Sequence, residues 1–168
     1  MTASDAKKAY MNVLGLLGKK LAIYLAAVLT SYLVATVTAS LHVASRLSAM
    51  GVAVDGAERL SMVLHDLAGM AGMFLPLIAF ALLAAFLVTA LVHYLLRRAR
   101  VLLYVLAGAV AMLTMHLALH AAFGLTPVAV ARSAGGLLTQ ALAGAAGGLV
   151  YVVLNQRFAE RIVEAVDA

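Results

Sequence analysis

The stretch MFLPLIAFALLAAFLVTALVHYLL, residues 73–96, indicates the environment in which this chain folds. It contains no Asp, Glu, Lys or Arg, and an α-helix of about 20 such residues crosses the roughly 30 Å hydrocarbon core of a bilayer. Its apolar residues do not alternate with polar ones, as those of a membrane β-strand would. The stretch therefore predicts a membrane-spanning helix.

Three further segments have the same character and predict spans at residues 21–45, 101–123 and 131–154. The apolar run of the first is too long for the core of a signal peptide, so we expect a retained anchor. The whole chain of 168 residues is then one membrane domain, residues 1–168. Its predicted fold is an all-α membrane protein, an antiparallel up-down bundle of four transmembrane helices.

The composition agrees with a membrane protein. Hydrophobic residues make up 65 % of the chain and charged residues 11 %, against about 45–50 % and 25 % in soluble domains. These values exclude an ordinary soluble enzyme, a disordered tail and a nucleic-acid-binding domain. The chain also has no cysteine, which excludes a disulfide, a thiolate metal site and a thiol nucleophile.

The basic residues predict the orientation. Only Arg46, Arg59 and Arg132 of the twelve lysines and arginines fall on one side of the spans, and Asp55, Glu58 and Asp66 balance them. The positive-inside rule therefore predicts that both termini are cytoplasmic. The whole net charge of +5 lies on that side, which predicts attraction to anionic lipid headgroups. The nine cytoplasmic basic residues are Lys7, Lys8, Lys19, Lys20, Arg97, Arg98, Arg100, Arg157 and Arg161.

Two cytoplasmic segments are predicted to be amphipathic. Residues 1–20 carry Tyr10, Val13, Leu14 and Leu17 on one face, as an interfacial N-terminal helix would. Residues 155–168 form a tail with Phe158, Ile162 and Val166 four residues apart. We expect both faces to contact lipid, and the tail has a cytoplasmic partner as its alternative.

An outer-loop helix is predicted at residues 56–72. Asp55 and Glu58 have the spacing of a capping box, in which each side chain accepts a bond from the other residue's backbone amide. Pro76 is predicted to bend the chain where this helix meets the second span, because its ring removes one backbone bond and crowds the carbonyl of Gly72.

The fourth predicted span is rich in glycine. Gly144 and Gly148 are four residues apart, the spacing that allows two helix backbones to approach closely, and Gly136 precedes them on the same span. We expect this face to pack inside the protein. A dimer or a larger complex is the alternative.

Four of the five histidines are predicted to lie in one outer layer of the membrane, with Asp66 beside them. His116 and His120 share a helix face, so both could point to one centre. Imidazole can ligate haem b or a divalent metal, whose identity the spacing does not indicate. The alternative is a structural or proton-responsive role, with His116 facing the bundle and His65 at the surface. The candidate cluster is His42, His65, Asp66, His116 and His120.

Three other polar residues are expected between helices. Gln140 could bond to Thr114, or to Ser31 and Thr36 of the first span, and Arg132 could pair with Asp66 or with phosphate headgroups. The chain contains no Ser-His-acid order, no phosphate-binding glycine loop and no paired intramembrane carboxylates. We therefore expect no catalytic residues and no cofactor.

The stretches LHDLAGMAGMFLPLIAFALLAAFLVTALV, residues 64–92, and TPVAVARSAGGLLTQALAGAAGGLVY, residues 126–151, resemble a group of small four-helix inner-membrane proteins of bacteria. The group is uncharacterised, so the resemblance implies a setting, the bacterial inner (plasma) membrane, and no activity. It covers most of the chain after the first span and includes His65, Asp66, Pro76, Arg132 and Gln140.

These observations favour a non-catalytic function, that of an accessory, assembly or stabilising subunit of a membrane complex. The expected partner is a membrane protein or a second copy of the chain. A haem- or metal-binding redox subunit that uses the outer histidines is the first alternative. A small oligomeric transporter is the second.

Overall fold

A computed structural model of the chain describes residues 3–96, 99–123, 131 and 133–167. These residues form four α-helices and no strand: α1 (Ala3–Ala49), α2 (Gly56–Leu96), α3 (Arg100–Phe123) and α4 (Ala134–Asp167). All four helices are long and apolar enough to cross a membrane. The predictions of an all-helical fold and of four helices able to span a membrane are therefore confirmed.

The predicted amphipathic segments are not separate helices. Residues 3–20 belong to α1, residues 56–72 to α2, and residues 155–167 to α4. The pattern of hydropathy changes at these borders, but Lys19 and Lys20 are good helix formers and do not end a helix. Pro76 lies inside α2, where it removes a single backbone donor without ending the helix.

The connection between α1 and α2 is defined by local hydrogen bonds. Gly51 has a φ of 85°, and the amides of Gly51 and Val52 donate to the carbonyls of Ser48 and Leu47, both at 3.1 Å. This is the Schellman arrangement that commonly ends a helix at glycine. The predicted capping box opens α2, since the Glu58 amide donates to Asp55 Oδ1 at 2.8 Å and the Asp55 amide to Glu58 Oε2 at 3.0 Å.

Each helix packs mainly against two others, in the ring order α1, α2, α3, α4. The core between them is made of small and aliphatic side chains with an aromatic group near Arg100. In that group the ring of Tyr151 lies 4.5 Å from Phe86 and 5.1 Å from Tyr104. The fully buried apolar side chains include Ala27, Val28, Ala35, Ile78, Leu82, Met112 and Val152.

The backbones of α3 and α4 touch at glycine. A Cβ atom at Gly108 would lie 2.0 Å from the carbonyl oxygen of Gly144, and one at Gly144 would lie 2.1 Å from that of Gly108. A Cβ atom at Gly148 would lie 2.1 Å from the Tyr104 carbonyl oxygen. Real Cβ atoms do not approach this closely, so the crossing of α3 over α4 requires glycine at these positions.

A second glycine contact joins α4 to α1. A Cβ atom at Gly147 would lie 2.0 Å from Ser31 Oγ and 2.8 Å from the carbonyl oxygen of Ala27. Gly136 is buried near the start of α4, where its amide donates to Ser133 Oγ at 3.1 Å. Gly144, Gly147 and Gly148 of α4 thus pack within the protein, against α1 and α3.

Candidate functional site

Polar side chains are costly in the hydrocarbon core of a membrane, so buried ones identify the candidate site. Among the described residues, six polar side chains are buried, and they lie on all four helices. A buried polar group needs a hydrogen-bond partner within the protein. The six are Ser31, Thr36, Ser40, Thr89, His116 and Gln140.

His116 and Gln140 form the centre of this site. His116 Nε2 lies 3.4 Å from Gln140 Oε1, and Gln140 Nε2 donates to the Ala35 carbonyl at 3.1 Å. The ring of Phe74 on α2 is 5.8 Å from that of His116. One polar pair therefore contacts all four helices, and both side chains are almost completely buried.

The hydrogen bonds also determine the tautomer of His116. Since the Gln140 amide nitrogen donates to Ala35, its oxygen faces the ring, and the ring hydrogen belongs on Nε2. His116 Nδ1 then carries a free lone pair, and it has no hydrogen-bond partner among the described residues. The nitrogen most often used to bind haem or zinc, Nε2, is engaged with Gln140 instead.

Asp66 is held by α1 rather than by a histidine. Ser40 Oγ donates to Asp66 Oδ2 at 2.6 Å. Two further side chains of α1 bond to α2, since Tyr32 Oη donates to the Leu67 carbonyl and Tyr24 Oη to that of Ala79. Together the three bonds join α1 to α2 along the length of the bundle.

The other three histidines of the predicted cluster do not contact His116 or Gln140. His42 Nε2 accepts a bond from Arg46 Nε at 3.1 Å on the same helix, and the side chains of His65 and His120 are exposed. Among the described residues, no group of three or more His, Asp or Glu could hold a metal ion. The candidate cluster of five residues is therefore distributed over separate contacts.

Two of the predicted interhelical residues have other surroundings. Thr114 is exposed on α3 and does not face Gln140, because it lies two residues, or about 200° around the helix, from His116. Gln140 bonds to the backbone of Ala35 instead, next to the predicted Thr36. Arg132 lies outside the described residues.

Sequence reasoning missed Gly108, Phe74 and the Ala35 carbonyl. A signal for the first was present: Gly108 is the single glycine of α3 and falls between Tyr104 and Met112 at four-residue steps. The partner of Gln140 left no signal, since every residue carries a backbone carbonyl.

A second candidate site is an open groove between α2 and α3 with a volume of about 740 Å³. It runs from Leu77 to Val92 on α2 and from Leu103 to Ala122 on α3. At 1.5 Å per residue the α3 side is roughly 28 Å long, close to the full thickness of the hydrocarbon core.

The lining of the groove is almost entirely apolar. Its smallest residues are seven alanines: Ala81, Ala84, Ala85, Ala107, Ala111, Ala118 and Ala122. The hydroxyl groups come from Thr89, which donates to the Ala85 carbonyl at 2.7 Å, and from the exposed Thr114. The small apolar residues of the groove therefore allow an apolar occupant to pack closely, whereas the groove offers few hydrogen-bond partners to a polar one.

Comparison of the chain with protein-family models, with curated proteins and with solved structures finds no match. The resemblance to small inner-membrane proteins of bacteria stays a prediction.

Proposed function

We propose that this protein is a non-catalytic accessory, assembly or stabilising subunit of a complex in the bacterial inner membrane. In this proposal the groove between α2 and α3 holds a membrane-spanning helix of another subunit. The observation that carries it is the length of the groove, which matches the whole hydrocarbon core rather than one leaflet.

A helix fits the groove better than lipid does. A lipid tail lies within one leaflet, about half of the hydrocarbon thickness, whereas the groove extends along nearly the whole of α3. Small residues let the backbones of two membrane helices approach, and this packing drives association where hydrophobic burial cannot. The apolar lining also gives no support to a path for polar solutes.

The bonds within the described core support a structural role. Gln140 joins α1, α3 and α4, and Ser40 joins α1 to Asp66 on α2. Each of these side chains is occupied in holding helices together, which favours a rigid scaffold over a reaction centre.

The proposal includes an antiparallel bundle with both termini in the cytoplasm. Tyr24 of α1 bonds to Ala79 of α2, and Ser40, further along α1, bonds to Asp66, earlier in α2. Residue numbers thus rise along α1 as they fall along α2, as in an antiparallel pair. On α3 and α4, Gly108 with Gly144 and His116 with Gln140 follow the same rule. The distribution of basic residues supports the orientation.

The test is to fill the groove. Ala84 and Ala118 line it with exposed side chains, so A84W and A118W should fill it without entering the core. Each should shift the native complex, extracted in mild detergent, to the mass of the free protein while thermal unfolding stays unchanged. The control is L29W, which replaces a large exposed residue on α1.

Three results would contradict the proposal. The complex could keep its mass with the groove filled, or L29W could dissociate it equally well. Third, the mass that the complex loses in A84W or A118W could be that of lipid, and lipid would then be the occupant of the groove.

A further inference from the structure

The neighbouring ends of α2 and α3 carry two basic side chains on their core faces. On α2, His93 continues the row of the buried Phe86 and Thr89 at helical spacing. On α3, Arg100 lies one turn before the buried Tyr104. Both His93 and Arg100 are partly buried, and we call them the Arg100 pair.

The register of the two helices brings the Arg100 pair to nearly the same level. Phe86 lies beside Tyr104, with 5.6 Å between their ring centroids. From that contact His93 is seven residues further along α2 and Arg100 four residues back along α3, roughly 10 and 6 Å in the same direction. The two residues thus lie within about one helical turn of each other, near the ends of two candidate spans.

Each member of the pair has a buried nitrogen without a partner. Arg100 Nε and His93 Nδ1 are shielded from solvent, and neither forms a hydrogen bond with a described residue. A guanidinium keeps its charge and has only donors, and the imidazole Nδ1 donates in one of its two neutral tautomers. A buried donor without an acceptor is unfavourable, so the pair needs an acceptor from outside the described residues.

Among the described side chains, no carboxylate neutralises Arg100. Because a Cβ atom at Gly148 would lie 2.1 Å from the Tyr104 carbonyl oxygen, Gly148 marks the level of Tyr104 on α4. Glu160 is exposed and lies twelve residues past Gly148, so it is roughly 12 Å beyond Arg100 along the bundle. The first turn of α3 contains no acidic residue. The other described acidic side chains lie near the opposite end of the bundle.

These features fit a phosphate group as the ligand. The guanidinium presents Nε and a terminal nitrogen in a planar fork that matches two phosphate oxygens. The ends of membrane spans lie at the level of lipid headgroups, and basic pockets between such ends bind anionic headgroups. The ring contact of Phe86 with Tyr104 separates the pair from the core, so the anion reaches it from the headgroup layer.

We propose that His93 and Arg100 bind the phosphate group of an anionic phospholipid at the ends of α2 and α3. Arg100 donates to two phosphate oxygens, and His93 donates from Nδ1. The proposal rests on the proposed function for the membrane setting alone. The site lies beyond Val92 and Leu103, at which the groove between α2 and α3 ends, so it does not depend on the occupant of the groove.

The test measures lipid binding to the full-length protein in mild detergent by native mass spectrometry. The probe is phosphatidylglycerol, and the reference is zwitterionic phosphatidylcholine. We expect phosphatidylglycerol to bind more tightly. R100Q should weaken its binding by about tenfold or more, because hydrogen bonds to a charged group are lost. R100K should restore only part of this loss, since an ammonium group lacks the planar fork.

The matched control is R157Q, which removes the same charge from an exposed position at the same end of the bundle. It should weaken binding much less than R100Q, because an exposed charge is screened. Added phosphatidylglycerol should also raise the Tm of the unchanged protein and of R157Q but not that of R100Q. This comparison holds even if R100Q is itself less stable.

Several results would overturn the phosphate site. They are equal binding of the two lipids, equal effects of R100Q and R157Q, or an undiminished rise of Tm in R100Q. Displacement of phosphatidylglycerol by inorganic phosphate at equal concentration would identify a soluble anion as the ligand and overturn the assignment to lipid. The groove variant A84W should bind phosphatidylglycerol normally, so that failure of this proposal is distinguishable from failure of the proposed function.

Discussion

His116 on α3 and Gln140 on α4 meet in the core of the bundle, with His116 Nε2 3.4 Å from Gln140 Oε1. Gln140 also donates to the backbone of Ala35 on α1. A histidine of this kind, on an apolar span, could have been a metal ligand, but here a neutral amide orients it. Its structural role leads to the first prediction.

Gln140→Leu should lower the free energy of unfolding by about 1–3 kcal/mol, the cost of leaving a buried donor without a partner. A hydrogen bond between membrane helices contributes only about 0.6 kcal/mol on average. The larger figure applies because the buried Nε2–H of His116 loses its acceptor. Reversible unfolding in mixed micelles measures the difference.

Thr139→Val is the control, since the Thr139 hydroxyl donates to Gly136 within α4. The double variant His116→Leu with Gln140→Leu should lose less stability than the two single variants together, because the second change removes the unpaired group. Additive losses would mean that the two side chains do not interact.

Gly144→Ala should destabilise the protein by about 1–3 kcal/mol, the usual cost of overpacking. The added Cβ would lie 2.1 Å from the carbonyl oxygen of Gly108, and a backbone atom cannot move aside as a side chain can. Gly108→Ala should have a similar effect from the opposite side of the crossing. Thermal unfolding in detergent compares the variants.

Gly135→Ala is the matched control for this contact. It lies on the same helix with nothing within 4 Å of the added Cβ, so it should be neutral or stabilising by up to about 1 kcal/mol. If Gly144→Ala were as stable as Gly135→Ala, the close crossing of α3 and α4 would be wrong.

The sequence predicts the coarse features of this fold because they depend on hydropathy and local chemistry. A run such as residues 73–96 has few stable alternatives to a spanning helix. The capping box at Asp55 and Glu58 is equally local, since both bonds form within four residues. Helix ends at residues 20 and 72 were wrong, because a change in hydropathy does not interrupt backbone hydrogen bonds.

The contacts within the site depend on the rotation of each helix about its axis, which hydropathy does not report. The sequence predicts Gln140 between helices, but its acceptor is a backbone carbonyl. Thr114, predicted beside it, faces the groove instead. Gly144 and Gly148 are recognisable in the sequence because they are four residues apart on one helix. Gly108 is the single glycine of α3, and its role depends on where α3 crosses α4.

The orientation predicts a pattern of chemical labelling. The chain has no cysteine, so Asp55→Cys and Ala99→Cys each introduce a single thiol at an exposed position. In intact cells an impermeant thiol reagent should label position 55 and not position 99. After the membrane is opened, both should react. Labelling of position 99 alone in intact cells would reverse the orientation.

The bond between Ser40 and Asp66 leads to the last prediction. Ser40 is 1 % exposed, and its hydroxyl donates to a carboxylate at 2.6 Å, a short bond of the charge-assisted kind. Ser40→Ala should therefore lower the free energy of unfolding by about 1.5–3 kcal/mol, the range for hydrogen bonds to charged groups. Thr38→Val is the control, because the Thr38 hydroxyl bonds to the Val34 carbonyl within α1. In an Asp66→Asn background the effect of Ser40→Ala should be smaller, since the acceptor no longer carries a charge. An unchanged effect would mean that Ser40 stabilises α1 through its contact with the Thr36 carbonyl, at 3.0 Å, and not through α2.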